Sequence, residues 1–131
     1  MSILDHVSIN VSDLNRSRAF YDKALKPLGI TQVMEYKHHT GYGKGGKPDF
    51  WTAAGQNDFQ TAEQIQVITP AHICFKAGSR AEVDAFYKSA MEAGAKDNGA
   101  PGLRPHYSPN YYGAFVIDPD GHNIEAVYHG N

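Results

Sequence analysis

The chain repeats itself. His6 and His72 lie 66 positions apart, and Phe20-Tyr21 stands at the same offset from Phe86-Tyr87. Ala24 and Ala90 keep the spacing, and Leu25 is matched in kind by Met91. Self-similarity at a fixed period limits the architecture before any local pattern is read. Two copies are too few for a solenoid. The expected fold is therefore a pseudo-symmetric α+β domain of two modules, about 1–62 and about 70–131, whose sheets face one another. A length of 131 residues is enough for one domain with a real core.

Each copy reads as strand, helix, then strands. Ile3 to Val11 alternates, with Asp5, Val7, Ile9 and Val11 on one face and Leu4, His6, Ser8 and Asn10 on the other. Ser12 or Asp13 can cap a helix whose apolar stripe runs through Leu14, Phe20, Tyr21, Ala24 and Leu25, and Pro27 and Gly29 stop it. Ile30 to Tyr36 is a second expected strand and Asp49 to Ala54 another. Residues 38–48, rich in Gly and Lys, read as a loop or irregular hairpin, and 55–62 as a polar loop. The pattern restarts at Ala71 to Ala77. Ser79 and Glu82 form a capping box for a second helix with Val83, Phe86, Tyr87, Ala90 and Met91 inward. Residues 97–109 read as a long Gly/Pro loop. Two last strands, Tyr111 to Ile117 and Asn123 to Tyr128, are joined by a turn in which Pro119 presets the backbone and Gly121 closes it.

Strand phase carries the chemistry. The helices must cover the faces of Val7/Ile9 and Ile73/Phe75, which leaves His6 and His72 on the opposite, concave face. Glu125 sits among apolar residues on the last strand and can share the face of His72. A carboxylate there is costly to bury unless a cation meets it. Two imidazoles and one carboxylate converging from three strands make a facial triad with positions left open for water or substrate. His6, His72 and Glu125 are thus the candidate metal ligands, and Glu125 is also the candidate catalytic group. His38, His39, His106, His122 and His129 read as surface or loop histidines. The helical Phe-Tyr pairs read as packing. Trp51 fits either core filler or an apolar wall of the site. Leu103 to Tyr107, with Tyr111 and Tyr112, fits an ordinary surface loop or a substrate-binding lip. As a lip, Arg104, His106, Tyr107 and Tyr112 would meet a small anionic or aromatic ligand.

Composition removes several classes. The net charge of −2 offers no basic footprint for nucleic acid. No apolar run is long enough to span a bilayer. The first residues have neither a basic region nor a long apolar core, so no signal peptide is expected. Cys74 is alone, which excludes an internal disulfide and makes a reducing cytoplasm the default.

The opening Asp5-His6-Val7-Ser8-Ile9-Asn10-Val11-Ser12-Asp13-Leu14, the middle Ala71-His72-Ile73-Cys74-Phe75 and the closing Asp118-Pro119-Asp120-Gly121-His122-Asn123-Ile124-Glu125 together resemble the vicinal oxygen chelate superfamily. That superfamily holds glyoxalase I, fosfomycin- and bleomycin-resistance proteins and extradiol dioxygenases. The resemblance implies paired βαβββ modules forming a cupped mixed sheet. It implies a divalent metal ion (Zn, Ni, Mn or Fe) at His6, His72 and Glu125, a small-molecule substrate, and a homodimer whose site can be shared between chains. The reaction it implies is a glyoxalase-like lyase, isomerase or thiol transfer. The alternatives are a non-catalytic binding protein of the bleomycin-resistance type and an extradiol-type dioxygenase. One departure stands out. Glyoxalase I has a further protein ligand at the end of the first module, and sliding the second module onto the first puts Trp51 over Glu125, where tryptophan cannot bind a metal.

Overall fold

The computed structural model describes residues 2–55 and 68–130. The expected polar loop at 55–62 and the link between the modules therefore fall almost wholly outside the described residues. The first module runs β1 (Val7–Asn10), α1 (Leu14–Leu25), a short 3-10 turn (Lys26–Leu28), β2 (Thr31–Tyr36), β3 (His39–Gly43) and β4 (Phe50–Ala53). The second runs β5 (His72–Lys76), α2 (Arg80–Glu92), β6 (Lys96–Leu103), β7 (Tyr111–Ile117) and β8 (Asn123–His129). The sheets have one topology twice, β1-β4-β3-β2 and β5-β8-β7-β6. In each, the first strand is parallel to the last and the other pairs are antiparallel.

The helices begin where the sequence caps them. The Asp13 carboxylate accepts the Arg16 amide at 3.0 Å, and the Ser79 hydroxyl accepts the Glu82 amide at 3.1 Å. Glu82 reaches back to the Gly78 amide at 3.0 Å, satisfying one more free donor of the first turn. Phe20, Tyr21, Ala24 and Leu25 of α1 and Val83, Phe86 and Ala90 of α2 are all buried in one continuous core with Val116, Ile124 and Ala126. Tyr87 is only partly buried, and its hydroxyl donates to Asp97 at 3.0 Å. The modules meet through α1 against α2, with Phe50 edge-on to Phe75 at 5.1 Å.

Three expectations are corrected or narrowed. The first strand is shorter than Ile3 to Val11, so His6 stands just ahead of β1. Of the two readings of residues 38–48, loop or irregular hairpin, the hairpin holds and the loop does not, because His39–Gly43 pairs antiparallel with β2 on one side and β4 on the other. Its glycines leave room for close neighbours: a Cβ on Gly43 would lie 2.2 Å from the Lys47 carbonyl oxygen, and one on Gly41 2.8 Å from Pro48 and 3.0 Å from Trp51. Residues 97–109 likewise contain most of β6, an eight-residue strand whose register shifts twice against β7.

A fourth correction concerns His122, which is no surface histidine. It is 1% exposed. The turn that carries it is the joint between the modules. Tyr21 donates its hydroxyl to Asp118 across the core, and the Ser12 amide and hydroxyl donate to Asp120 at 3.0 and 2.6 Å. Burial, and then the Asp118 charge, hold the Tyr21 hydroxyl well above its ordinary pKa.

Candidate functional site

Cross-strand pairing lays out the open face of the second sheet. Cys74 pairs with Glu125, Glu125 with Phe115, and Phe115 with Gly99, so four strands contribute one row on one face. His72 has the same phase, and its Nε2 lies 2.9 Å from Glu125 Oε1. The Tyr111 hydroxyl donates to the other carboxylate oxygen. Gly113 makes this possible, since a Cβ there would stand 3.0 Å from the Tyr111 ring and 3.3 Å from Glu125 Oε2. Glu125 is 1% exposed, whereas the His72 side chain is half open to solvent. Burial, followed by the Glu125 hydrogen bond, raises the Tyr111 hydroxyl above its ordinary range. Cys74 is exposed as a residue, but the surroundings of its sulfur, and next the Glu125 charge, push its thiol up to about 12. It is a poor nucleophile at neutral pH.

His6 and His72 both line one cleft of about 550 Å³ between the free edges of β1 and β5. Asp5 accepts at His6 Nδ1 at 2.7 Å and is itself 3.5 Å from Lys47 Nζ, which leaves Nε2 of His6 as the ring nitrogen free to face a ligand. Within one chain the expected triad is not assembled. Among the described residues, no three His, Cys, Asp or Glu side chains converge closely enough to hold a metal ion. His72 and Glu125 could supply two donors to a divalent ion.

The other candidates divide. Trp51 lies on the open face of the first sheet, paired with Ser8 and Gly41, and its ring is edge-on to His39 at 6.4 Å. With Met34, Tyr36 and Pro48 it lines a second cavity of about 460 Å³ that shares Asp5 and His6 with the first. The ladder makes Trp51 the counterpart of Glu125: it stands opposite Ser8 as Glu125 stands opposite Cys74, and Ser8 and Cys74 are related by the 66-residue repeat. Arg104 reaches the Glu125 face, with its guanidinium carbon 5.4 Å from the centre of the Phe115 ring. His106 and Tyr107 are exposed beyond β6, with their rings 4.3 Å apart, and Tyr107 leads to Tyr111 at 5.0 Å. Tyr112 points away from the site. Its hydroxyl donates to Asp84 of α2 at 2.6 Å, and Arg80 covers its ring. Sequence reasoning passed over Phe115, and it named Tyr111 only as part of a possible lip, not as a partner of Glu125. Their signal was parity alone: both are an even number of residues from Gly113, the partner of Val127 in the phase of Glu125.

A model of the Glyoxalase/Bleomycin resistance protein/Dioxygenase superfamily matches residues 3–126. Among solved structures, a glyoxalase/bleomycin resistance protein from Albidiferax ferrireducens T118 superposes with a TM-score of 0.81 at 28% identity, covering 98% of this chain and 100% of that one. A putative glyoxalase from Bacillus halodurans gives 0.67 at 27% identity, covering 98% and 96%. A lactoylglutathione lyase from Agrobacterium tumefaciens shares the fold, with a TM-score of 0.67 at 18% identity, covering 97% and 92%. No curated protein matches the chain.

Proposed function

The chain belongs to the glyoxalase/bleomycin resistance protein/dioxygenase superfamily, and from that premise we propose that it is a metal-dependent enzyme acting on a small molecule. Members of the superfamily generally use a divalent metal, bind small molecules and often dimerise. The observation that carries the reading is the buried Glu125 carboxylate hydrogen-bonded to His72, a histidine that lines a cleft together with His6. His72 Nε2 and Glu125 Oε1 would hold the ion, with His6 of the same chain or of a second copy as the third donor. When bound, such an ion polarises a carbonyl or epoxide oxygen or stabilises an enolate. Tyr111 fixes the orientation of Glu125 by occupying Oε2, and Val7, Ile73 and Phe75 contribute apolar lining to the cleft that His6 and His72 share. Trp51 in place of a further donor counts against glyoxalase I chemistry proper, and three donors fit metal-assisted group transfer or oxygenation.

The assembly we propose is a homodimer with a shared site, since among the described residues of one chain no third donor stands beside His72 and Glu125. Among the described residues no helix is long and apolar enough to cross a membrane. The lone Cys74 suits a reducing cytoplasm. Metal content of protein purified without added metal or chelator, followed by titration, tests the reading. Uptake near one equivalent per chain, lost in Glu125→Ala and His72→Ala, supports it. Absence of uptake on titration would end it.

A second reading has its own observation. Trp51, Tyr36, His39 and Met34 give the first sheet an aromatic and apolar open face, which suits a non-catalytic binding protein. Ligand affinity that survives Glu125→Ala but not Trp51→Ala would favour it.

A further inference from the structure

Arg104 is built into the sheet in a way a surface arginine is not. Its Nη1 donates to the Gly102 carbonyl and its Nη2 to the Ala100 carbonyl, each at 2.8 Å. Those bonds hold the guanidinium back over β6, and glycines clear the space. A Cβ on Gly99 would come within 3.1 Å of Nη2, and one on Gly102 within 3.1 Å of Nη1. Phe115 supplies the aromatic surface beneath. The side chain is half-buried, and its rotamer freedom is already spent in the free protein.

Its charge is not neutralised. Both contacts are to neutral carbonyls, and among the described residues no carboxylate forms an ion pair with Arg104. Glu125 is not its counterion, because His72 and Tyr111 take the two oxygens of that carboxylate. A guanidinium has five N–H donors, so three remain beyond the two in use. The cation also lies next to the candidate chemistry. Phe115 pairs directly with Glu125, and the His72 ring is 6.3 Å from the Phe115 ring.

We propose that Arg104 on Phe115 is the recognition seat for a carboxylate on the substrate, so that the molecule is a small carboxylic acid whose other oxygens reach His72 and Glu125. The second contact rests on the metal reading above, whereas the first does not. A fixed fork over an aromatic face favours a planar carboxylate, and an aryl or conjugated acid would add stacking on Phe115. The exposed Tyr107, which reaches Tyr111, stands on the same side as a lip.

The test uses chelator-treated full-length protein, so that anion binding is read without any metal. Benzoate and its neutral analogue benzamide are titrated at low ionic strength, by calorimetry or by amide shifts in NMR. Benzoate is expected to bind at least about tenfold tighter than benzamide, the margin of one charge-assisted fork. Arg104→Gln should abolish that preference and Arg104→Lys should restore only part of it, because an ammonium lacks the fork. Gly102→Ala, which displaces only the flexible end of Arg104, should weaken benzoate in a folded protein, and serves if Arg104→Gln fails to fold. Equal binding of benzoate and benzamide, no benzoate binding at all, or undiminished preference in Arg104→Gln would overturn the proposal. Metal titration of the wild type separates the two readings: benzoate preference without metal uptake removes the metal and keeps the seat.

Discussion

His122 Nε2 lies 2.7 Å from the carbonyl oxygen of Asn10 at the end of β1. The other nitrogen of the same ring, Nδ1, accepts the Ala71 amide ahead of β5 at 2.9 Å. Nδ1 must be the unprotonated nitrogen, so Nε2 carries the proton and donates it to Asn10. One neutral imidazole therefore ties the two modules at the ends of their first strands. His122→Phe keeps the bulk but leaves a half-buried amide and a half-buried carbonyl unpaired. The expected loss is about 3 kcal/mol, from the usual cost of two orphaned groups. It should appear in urea unfolding as a lower midpoint with an unchanged slope. His129→Phe, at the exposed end of β8, should change almost nothing. Equal stability of the two variants would refute the latch.

This latch shows why the contact of His72 with Glu125 was legible and the joint was not. Parity along β5 and β8 put His72 and Glu125 on one face, and a face is a property of local spacing alone. The repeat fixed the order of elements for the same reason. His122 looked like a turn residue because its partners, Asn10 and Ala71, lie far from it in the chain. The glycines misled in a physical way. Gly41, Gly43, Gly99 and Gly102 lower strand propensity, so their segments read as loops, yet each sits in a paired strand or ladder where another group needs the space of a Cβ. Tyr111 and Tyr112 are neighbours with opposite fates, and only the register against β8 tells them apart.

Gly43 offers a sharp test of that explanation. A methyl there would meet a backbone oxygen, not a side chain that can swing aside, so β3 or the 44–49 segment must move. Gly43→Ala should cost about 2 kcal/mol or more, typical of overpacking. Gly46→Ala, three residues on, adds a methyl into open space and should lie within about 0.5 kcal/mol of wild type. Thermal unfolding of the pair decides it. A neutral Gly43→Ala would mean that the glycine is not there for room.

The contact between Tyr111 and Glu125 predicts a coupling. At neutral pH, Tyr111→Phe removes a donor from a buried carboxylate and should cost about 2 kcal/mol, as for hydrogen bonds to charged groups. In a Glu125→Leu background the same change should cost much less, because the hydroxyl has no carboxylate to serve. A double-mutant cycle in denaturant reads the difference directly. Additive effects within about 0.5 kcal/mol would show that the hydroxyl does not support Glu125.

Alkaline pH tests the core. Burial raises the hydroxyls of Tyr21 and Tyr42 above the ordinary tyrosine value of 10.0, with Asp118 adding to the effect at Tyr21 and Asp22 at Tyr42. The sign follows from linkage. Above pH 10 the unfolded chain releases these protons and the folded chain keeps them, so their contribution is whole below pH 10 and is lost as pH rises beyond it. Stability to urea should therefore fall steeply between pH 10 and 11. Tyrosine absorbance at high pH should show Tyr21 and Tyr42 ionising only on unfolding. The Tyr42 and Thr52 hydroxyls are both buried, and neither makes a hydrogen bond of normal geometry among the described residues, although Thr52 is near enough to offset a little of the rise at Tyr42. Tyr42→Phe should thus be nearly neutral or stabilising at pH 7 and should flatten the alkaline decline. If Tyr42→Phe lowers stability at pH 7 by more than about 1 kcal/mol, its hydroxyl has a partner and this account of the core is wrong.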